Sequence, residues 1–270
     1  MKNILIIKKW KNPKITKNYN IIKKWLELNY PNKNIFSEKN MSKVDNIDLI
    51  ISLGGDGTIL HVNKILNKYK KLPKILSFSL GTLSFITSHN FNDYEFILKK
   101  IFNNNFFVSN RIRIFCSINN SSFNALNEIV IHRGKSPKVL KLKLIIDDSF
   151  ITNIIADGII LSTSTGSTAY NLSAGGPLVL PTLDNLILTP ISPFSLSFRP
   201  IIISSKSKIE LILISNDDIN IDTDGNNLTI MKKNDKIVIS KSLESLSLIT
   251  FDENDIDWYK NIIKKLNWAN

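Results

Sequence analysis

The sequence predicts two domains of different class: an N-terminal α/β domain and a C-terminal antiparallel β domain of the sandwich type. Strand-like and helix-like segments alternate through the first hundred residues, a pattern typical of a parallel sheet covered by helices. After about residue 106, short apolar strands follow one another across short turns. With 270 residues, of which 43% are hydrophobic, the chain can form two separate cores.

The first domain, residues 1–106, contains three predicted strand–helix pairs and is expected to be Rossmann-like. Its strands are compact apolar runs, and its helices place apolar residues three or four positions apart. We expect strands at Asn3–Ile7, Ile47–Leu53 and Lys74–Leu80, and helices at Asn20–Leu28, Thr58–Tyr69 and Asp93–Phe102. Asp93 is the expected N-cap of the third helix, because its carboxylate can accept a bond from an unpaired backbone N–H.

The second domain, residues 107–252, is predicted to be almost entirely β. Strands are expected at Arg111–Ile118, Asn124–Ile131, Val139–Ile146, Phe150–Ile155, Gly158–Ser162, Pro200–Ser204, Lys208–Ile214, Ile219–Asp222, Lys236–Ser240 and Leu246–Thr250. One helix, around Ser167–Ala174, interrupts them. Residues 253–270 contain an amphipathic segment, Ile256–Trp268, which we expect to form a helix that packs back on the first domain.

Composition and charge distribution exclude several kinds of site and partner. A single cysteine, Cys116, excludes an internal disulfide and a cysteine-based zinc site. The net charge is +12, but the lysines occur as scattered pairs, so we expect no nucleic-acid partner. No run approaches the roughly 20 apolar residues of a membrane-spanning helix, so we expect no membrane partner and a cytoplasmic location.

Three glycines stand between the second predicted strand and the second predicted helix, in Ser52-Leu53-Gly54-Gly55-Asp56-Gly57-Thr58. Glycines let the backbone approach a ligand closely, and a helix N-terminus favours negative charge, so the segment predicts a phosphate-binding loop. Asp56 in such a loop could orient Mg²⁺ or accept the proton of an attacking hydroxyl. The alternative is a glycine turn with a helix-capping aspartate. His61, on the following helix, could face a phosphate.

A run of hydroxyl side chains surrounds Gly166 in the segment Ser162–Ser173. Its hydroxyl and backbone donors could bind phosphates, a ribose or the edge of a base, and Tyr170 could lie against a flat ring. The alternative is a polar loop in which Ser167 or Thr168 caps a helix.

Other polar residues are weaker candidates. Asn127-Glu128 lies among aliphatic residues, where burial is costly without partners, so the pair either faces a cleft or lies at an exposed edge. Asp224-Gly225-Asn226 is typical of a hairpin turn, with a site role as the alternative. Lys138 and Arg133 could contact phosphate or remain on the solvated surface.

Together these motifs closely resemble the NAD kinase family, whose GGDGT motif is shared with diacylglycerol kinases and phosphofructokinases. The resemblance covers nearly the whole chain and is closest to the eukaryotic branch. It rests on Gly54–Thr58, Leu80-Gly81-Thr82-Leu83, Asn127-Glu128, His132–Pro137, Asp157–Ser173, Gly175-Gly176-Pro177 and Leu196–Pro200.

The resemblance implies transfer of the terminal phosphoryl group of ATP, with Mg²⁺, to the 2′-hydroxyl of the adenosine ribose of NAD or NADH. Asp56 would be the catalytic proton acceptor or a carboxylate that orients the hydroxyl, and Asp157 would contact the nicotinamide end or the ligand of a neighbouring subunit. The implied substrate-binding residues are Gly55, Gly57, His61, Asn127, Glu128, Lys138, Asp157, Thr165, Thr168, Ala169, Tyr170, Ser173 and Asn226. The resemblance also implies a homodimer or homotetramer formed through the β domain.

Two other functions are alternatives: a lipid or diacylglycerol-type kinase with the same glycine loop, and a non-catalytic dinucleotide sensor. The choice between NAD and NADH, and between ATP and polyphosphate, is left open. The chain departs from the family where Ser84 and Ser164 replace the usual Gly and Pro. Neither position is expected to take part in the chemistry.

Overall fold

The computed structural model describes residues 1–8, 13–44, 46–67, 69, 71–80, 84–86, 89–253 and 256–269. Gly81, Thr82 and Leu83 of the family motif therefore lie outside the described residues. The chain forms two compact units: unit 1 comprises Met1–Asn110 with Leu246–Asn270, and unit 2 comprises Arg111–Ser245. The predicted fold class, parallel α/β followed by antiparallel β, is confirmed. Among the described residues, no helix has the length and apolarity needed to cross a membrane.

Strands outnumber helices in the described part of the chain. The strands are β1 (Asn3–Lys8), β2 (Asn34–Ser37), β3 (Leu49–Leu53), β4 (Lys74–Ser79), β5 (His89–Asn90), β6 (Phe107–Arg111), β7 (Ile114–Ile118), β8 (Ser121–Ala125), β9 (Glu128–His132), β10 (Leu140–Ile146), β11 (Ser149–Thr163), β12 (Asn185–Pro193), β13 (Ile201–Ser204), β14 (Ile209–Leu213), β15 (Ile219–Thr223), β16 (Asn226–Met231), β17 (Lys236–Lys241) and β18 (Leu246–Thr250). The helices are α1 (Pro13–Asn29), α2 (Asp56–Leu66), α3 (Tyr94–Phe102), α4 (Tyr170–Ser173) and α5 (Ile256–Leu266), and 3-10 turns span Glu38–Lys43, Phe91–Asp93 and Thr165–Thr168.

Unit 1 contains a seven-stranded sheet in the order β2-β1-β3-β4-β18-β6, with the short β5 beside β4. Strands β1, β2, β3, β4 and β18 pair in parallel. The four residues Ile4–Ile7 of β1 are all buried, as expected for an inner strand covered on both faces. This sheet brings the carboxyl end of β3, where the glycine segment begins, next to the carboxyl end of β4.

Several details of unit 1 differ from the sequence prediction. The sequence assigned Leu246–Thr250 to the second domain, but this strand, β18, pairs with β4 in the parallel sheet of unit 1. The boundary between the units falls after Asn110 rather than after residue 106. The edge strand β2 was missed, because a four-residue strand with two apolar residues gives little periodic signal. Asp93 precedes α3 but makes no side-chain capping bond.

Unit 2 contains an eleven-stranded antiparallel sheet in the order β16-β15-β9-β11-β10-β14-β17-β7-β8, with β12 beside β11 and β13 beside β12. One face of the sheet supplies the core. In β10, for example, Leu140, Leu142 and Leu144 are buried, while Lys141 between them is exposed. This two-residue alternation is the expected pattern for a sheet with one face packed on a core.

Four predicted elements of unit 2 take a different form. The two strands expected at Phe150–Ile155 and Gly158–Ser162 are one strand, β11, which pairs with β10 through its first half and with β9 through its second. The strand expected at Asn124–Ile131 is divided by a bend at residues 126–127. The helix expected around Ser167–Ala174 is a 3-10 turn followed by the four-residue α4.

Truncation of a core leucine in unit 2 to alanine should lower the free energy of unfolding, whereas the same substitution at an exposed leucine should not. We expect Leu142→Ala to lower the free energy of unfolding by about 2–5 kcal/mol, because Leu142 is fully buried between β11 and β14 and its loss leaves a cavity. Urea unfolding measures the change. Leu243→Ala is the matched control, because Leu243 is fully exposed. A loss in the control as large as that in Leu142→Ala would contradict the assigned core.

Candidate active site

The glycine segment of unit 1 forms a short connection between β3 and α2. The backbone N–H of Gly54 donates to the carbonyl of Phe78 in β4, at 3.0 Å. A Cβ at Gly54 would lie 2.0 Å from the Thr58 hydroxyl, so the tight turn requires glycine. Gly55 is the N-cap of α2, and Asp56 is its first residue. The Asp56 carboxylate therefore lies at the positive end of the helix dipole.

The Asp56 side chain is held by the segment 84–86, which follows β4 in sequence. The backbone N–H groups of Phe85 and Ile86 donate to the Asp56 carboxylate, each at 2.9 Å, and the Ser84 hydroxyl also donates to it. Lys265 of α5 lies close by, with its Nζ 3.8 Å from Asp56 Oδ2. The carboxylate is thus oriented by several donors rather than serving as a simple helix cap.

Two residues of unit 1, Ser84 and His61, make contacts that differ from those the sequence predicted. Ser84, one of the two departures from the family pattern, was expected to stay apart from the chemistry, yet its hydroxyl contacts Asp56. His61 was expected to face a phosphate. Its Nε2 instead lies 2.8 Å from the Glu38 carboxylate, at the end of β2.

A bend in unit 2 places Asn127 and Glu128 at the start of β9. The Asp224 carboxylate accepts hydrogen bonds from the backbone N–H groups of Leu126 (2.9 Å), Asn127 (2.8 Å) and Glu128 (3.3 Å). Asp224 and Gly225, with φ of 46° and 74°, form the hairpin turn between β15 and β16 that the sequence indicated. Asp224 therefore fixes the backbone on which the predicted Asn127-Glu128 pair stands.

Glu128 is buried, with 5% of its surface exposed. Burial, followed by the nearby negative charge of Asp224, raises the pKa of Glu128 to about 7, and a hydrogen bond from the backbone of Tyr170 partly opposes the shift. Glu128 consequently changes charge near neutral pH. The sequence left two alternatives for this carboxylate, an exposed edge or a cleft. Glu128 lines a cavity, which agrees with the second alternative.

Three buried polar atoms near this bend have no hydrogen-bond partner within the described part of the chain: Asn127 Oδ1, Glu128 Oε2 and Thr165 Oγ1. A buried polar atom left without a partner is costly, at about 1–3 kcal/mol each. Asn127 and Thr165 come together because Gly166 packs against the strand: a Cβ at Gly166 would lie 2.2 Å from the Asn127 carbonyl oxygen. The three atoms are available to hydrogen-bond with a bound ligand or with water, so this part of unit 2 is the candidate binding site.

Most of the hydroxyl groups around Gly166 have a structural role instead. Thr163 Oγ1 donates to the Leu126 carbonyl (2.6 Å) and accepts from Gly166 N–H (3.0 Å). Ser162 Oγ donates to the Asn127 carbonyl, and Ser167 Oγ bonds to both backbone groups of Val179. Ser164 Oγ donates to the Leu183 carbonyl. These bonds tie the segment to the bend at residues 126–127 and to the backbone of Val179 and Leu183. Within the predicted hydroxyl run, Thr165 keeps a buried oxygen without a partner among the described residues.

A cavity of about 530 Å³ opens on this face of unit 2. Glu128, Val130 and His132 line it from β9, because alternate residues of a strand face the same side. The other lining residues are Arg133, Gly134, Asp157, Tyr170, Ile191, Asp222 and Gly225. Of the predicted site residues, the cavity brings together Glu128, Asp157 and Tyr170.

Two carboxylates along the cavity are each paired with a basic side chain. Arg133 Nε is 2.8 Å from Asp157 Oδ1, with each side chain about one-third exposed. His132 Nδ1 accepts from Gly134 N–H, so its Nε2 carries the proton that is donated to Asp222 Oδ2, at 3.0 Å. Arg133 is therefore an ion-pair partner of a cavity carboxylate rather than a surface side chain.

Other predicted residues lie around the cavity without lining it. Lys138 is largely exposed, and its Nζ lies 3.6 Å from Asp217. Asn226 is exposed and donates to the Asp224 carbonyl within the hairpin turn. Thr168 and Ala169 join the 3-10 turn to α4, and Ser173 is exposed near the end of α4. The roles assigned to these residues stay predictions.

Sequence reasoning missed Asp222, and it gave Asp224 only as part of a hairpin turn with a site role as the alternative; the structure makes both positioning residues. Their sequence signal is the Asp222-Thr223-Asp224-Gly225 segment, in which two carboxylates stand two residues apart just before a turn. Asp224-Gly225 is typical of a hairpin turn, and this local role is enough to account for the aspartate. The long-range contact of Asp224 with residues 126–128 therefore leaves no further mark in the sequence.

Comparisons with known proteins agree with this geometry. The family model described as the ATP-NAD kinase N-terminal domain matches residues 5–106, and the model described as the ATP-NAD kinase C-terminal domain matches residues 126–251. The mitochondrial NADH kinase pos5 of Schizosaccharomyces pombe is 35% identical over 99% of this chain and 75% of its own length.

Two solved structures are also similar. A yeast NADH kinase complexed with NADH superimposes with a TM-score of 0.93 at 30% identity, covering 100% of this chain and 89% of that one. An NAD kinase from Archaeoglobus fulgidus in complex with ATP superimposes with a TM-score of 0.77 at 28% identity, covering 98% of each chain. The motifs, the fold and these matches together establish that the chain belongs to the NAD kinase family.

Proposed function

We propose that this chain transfers the terminal phosphoryl group of ATP to the 2′-hydroxyl of the adenosine ribose of NAD or NADH. The observation that carries the proposal is the set of unpartnered buried atoms on Asn127, Glu128 and Thr165. Asn127 Oδ1 is a hydrogen-bond acceptor, and Glu128 Oε2 is one when the carboxyl is ionised, so the two atoms suit a ligand that brings donors. Ribose hydroxyls and the amino group of adenine are donors of this kind.

Asp56 of unit 1 is the proposed catalytic residue. Its carboxylate accepts the proton of the 2′-hydroxyl as the ribose oxygen bonds to the terminal phosphorus and the bond from that phosphorus to the bridging oxygen of ADP breaks. Support comes from its place in the first turn of α2 and from the backbone N–H donors of Phe85 and Ile86, which orient the carboxylate. Phosphoryl transfer depends mainly on such positioning and on charge neutralisation.

The glycine segment is the proposed phosphate-binding element. Gly57 lies in the first turn of α2, where backbone N–H groups are unpaired within the helix, and nothing lies within 4 Å of the place a Cβ would occupy. Mg²⁺ is typically held by one or two carboxylates together with substrate phosphates, so Asp56 is the group of this chain that suits it. When bound, Mg²⁺ would neutralise charge on the phosphates of ATP.

The cavity of unit 2 is proposed to hold the dinucleotide. Tyr170, 44% exposed on the cavity, offers a flat surface to an adenine or nicotinamide ring. The Asp157 carboxylate, paired with Arg133, is proposed to lie at the nicotinamide end. Carboxylates, a guanidinium and an imidazole line this cavity, and this polar lining argues against the lipid-kinase alternative.

We also propose that the chain forms a homodimer or homotetramer through unit 2. Support comes from exposed apolar side chains that lie close together in sequence: Phe194 and Leu196 before β13, and Ile201 and Ile202 within it. Exposed apolar clusters of this kind are typical of interfaces. The cytoplasmic location stays a prediction, since the S. pombe relative is described as mitochondrial.

The first test is turnover. Purified protein with ATP, Mg²⁺ and either NAD or NADH should form the 2′-phosphorylated product, which an NADP-specific dehydrogenase detects, after oxidation for NADH. Asp56→Asn should lower kcat at least about 100-fold while dinucleotide binding persists, because the amide cannot accept the proton. The matched control Asp93→Asn, at an exposed position of unit 1, should keep full activity. Binding without turnover in the wild type would favour the sensor alternative.

The second test uses the pKa of Glu128. In the unfolded chain this carboxyl ionises near its ordinary pKa of 4.5, whereas in the folded protein it stays protonated up to about pH 7. Glu128 therefore favours folding below pH 4.5, and that contribution is lost as the pH rises to 7. The glutamine of Glu128→Gln has no such pH dependence. The free energy of unfolding of the variant minus that of the wild type should therefore rise by on the order of 3 kcal/mol from pH 4.5 to pH 8.

Urea unfolding at pH 4.5 and pH 8 measures this gain. Glu253→Gln, at an exposed position, is the control and should differ little from wild type at either pH. An equal effect of Glu128→Gln at both pH values would show that Glu128 does not change its charge on unfolding in this range.

The third test concerns assembly. Multi-angle light scattering should give a mass of two or four chains for the wild type. The double variant Phe194→Ser/Leu196→Ser should shift the mass toward a single chain, because it removes apolar area from the proposed interface. Leu243→Ser, at another exposed position, should leave the mass unchanged. A monomeric wild type would contradict the proposal.

A further inference from the structure

The C-terminal helix α5 contacts the segment that holds Asp56. Asn261 Nδ2 donates to the Ser84 carbonyl, at 3.1 Å. Four residues later, Lys265 Nζ lies 4.0 Å from the centre of the Phe85 ring and 3.8 Å from Asp56 Oδ2. Residues four apart lie on the same face of a helix, so Asn261 and Lys265 act on the segment together.

Packing alone accounts poorly for this contact. In α5, Ile262 is the one residue buried among those described, and most of the helix surface is exposed. Lys265 is exposed as well, with about one-third of its side-chain surface accessible, and its ammonium group lies over an aromatic face. A cation in this position is attracted by the ring and by the carboxylate at once. The adjacent Lys264 is exposed to solvent.

The segment 84–86 is thus held from two sides. On one side its Ser84 hydroxyl and the N–H groups of Phe85 and Ile86 donate to Asp56. On the other side Asn261 and Lys265 of α5 hold its first two residues. Release of α5 would remove these contacts from the segment whose hydroxyl and N–H groups orient the Asp56 carboxylate.

The charge of Lys265 bears on the chemistry as well. A carboxylate that approaches a triphosphate is repelled by it, and a neighbouring cation reduces this repulsion. A misplaced reacting group lowers turnover more than binding, because the cost appears in the transition state.

We infer that Lys265, supported by Asn261, is a positioning residue for phosphoryl transfer: it holds the segment 84–86 against Asp56 and balances the charge of that carboxylate. This inference rests on the proposed role of Asp56 in the kinase reaction. It assigns to the last helix of the chain a part in turnover that is separate from dinucleotide binding.

Steady-state kinetics test the inference with three variants. Lys265→Met keeps the length of the side chain but removes its charge, and should lower kcat at least about 10-fold with both KM values within about 2-fold of wild type. Lys265→Arg keeps the charge and should recover kcat to within about 3-fold of wild type. Lys264→Met, the matched control at the neighbouring exposed position, should behave as wild type. In the Asp56→Asn background, Lys265→Met should cause no further loss.

Hydrogen exchange gives a second measurement that does not depend on activity. The N–H groups of Phe85 and Ile86 should exchange at least about 10-fold faster in Lys265→Met and in Asn261→Ala than in wild type and Lys264→Met, because the segment loses its support. Thermal unfolding of each variant checks that the fold is intact.

The outcomes separate the two proposals. The inference would be overturned if the wild type is an active kinase and Lys265→Met keeps a kcat within 2-fold of the wild-type value. It would also be overturned if the kcat of Lys265→Arg is no higher than that of Lys265→Met. No kinase activity in the wild type would overturn the proposed function, and with it the link to turnover. In that case unchanged exchange at Phe85 and Ile86 would overturn the structural part of the inference too.

Discussion

Three backbone N–H groups at the bend between β8 and β9 share one acceptor, the carboxylate of Asp224. Without it, the buried amides at the bend would lack partners, and the strand could continue straight from β8 into β9. The bend determines where Asn127 and Glu128 lie, and its carbonyl groups anchor the hydroxyls of Ser162 and Thr163. The candidate site of unit 2 therefore depends on one hairpin aspartate.

The same carboxylate also affects the chemistry of the site. Its negative charge adds to burial in raising the pKa of Glu128, so the residue that fixes the backbone also changes the charge behaviour of its neighbour. In unit 1 the relation is reversed. There the carboxylate of Asp56 is itself the proposed functional group, and the backbone donors of Phe85 and Ile86 orient it. Each unit thus combines one carboxylate with a set of backbone amides.

Local patterns in the sequence predicted the fold class, which the structure confirms, and they indicated site residues whose roles stay predictions. The alternation of strands and helices indicated the parallel sheet, and the glycine segment indicated Asp56. What the sequence could not supply was long-range contact. Asp224 looked like an ordinary turn residue, and β18 resembled the strands before it, although it pairs with β4 far back in the chain. Hydroxyl side chains were also ambiguous, because internal bonds and ligand bonds use the same groups, and most of those around Gly166 are internal.

The position of β18 has a consequence for how the protein is made. In the sheet of unit 1, β18 lies between β4 and β6, yet it comes after both of them in the chain and is synthesised later than either. Unit 2 is a continuous stretch of chain, so all of its strands leave the ribosome before β18 does. Until β18 is synthesised, the sheet of unit 1 lacks the strand between β4 and β6. An unpaired sheet edge can pair with strands of other chains, so this edge must be protected during synthesis. The segment that completes the sheet also brings α5 to Asp56, so folding of unit 1 and assembly of its candidate active site finish together.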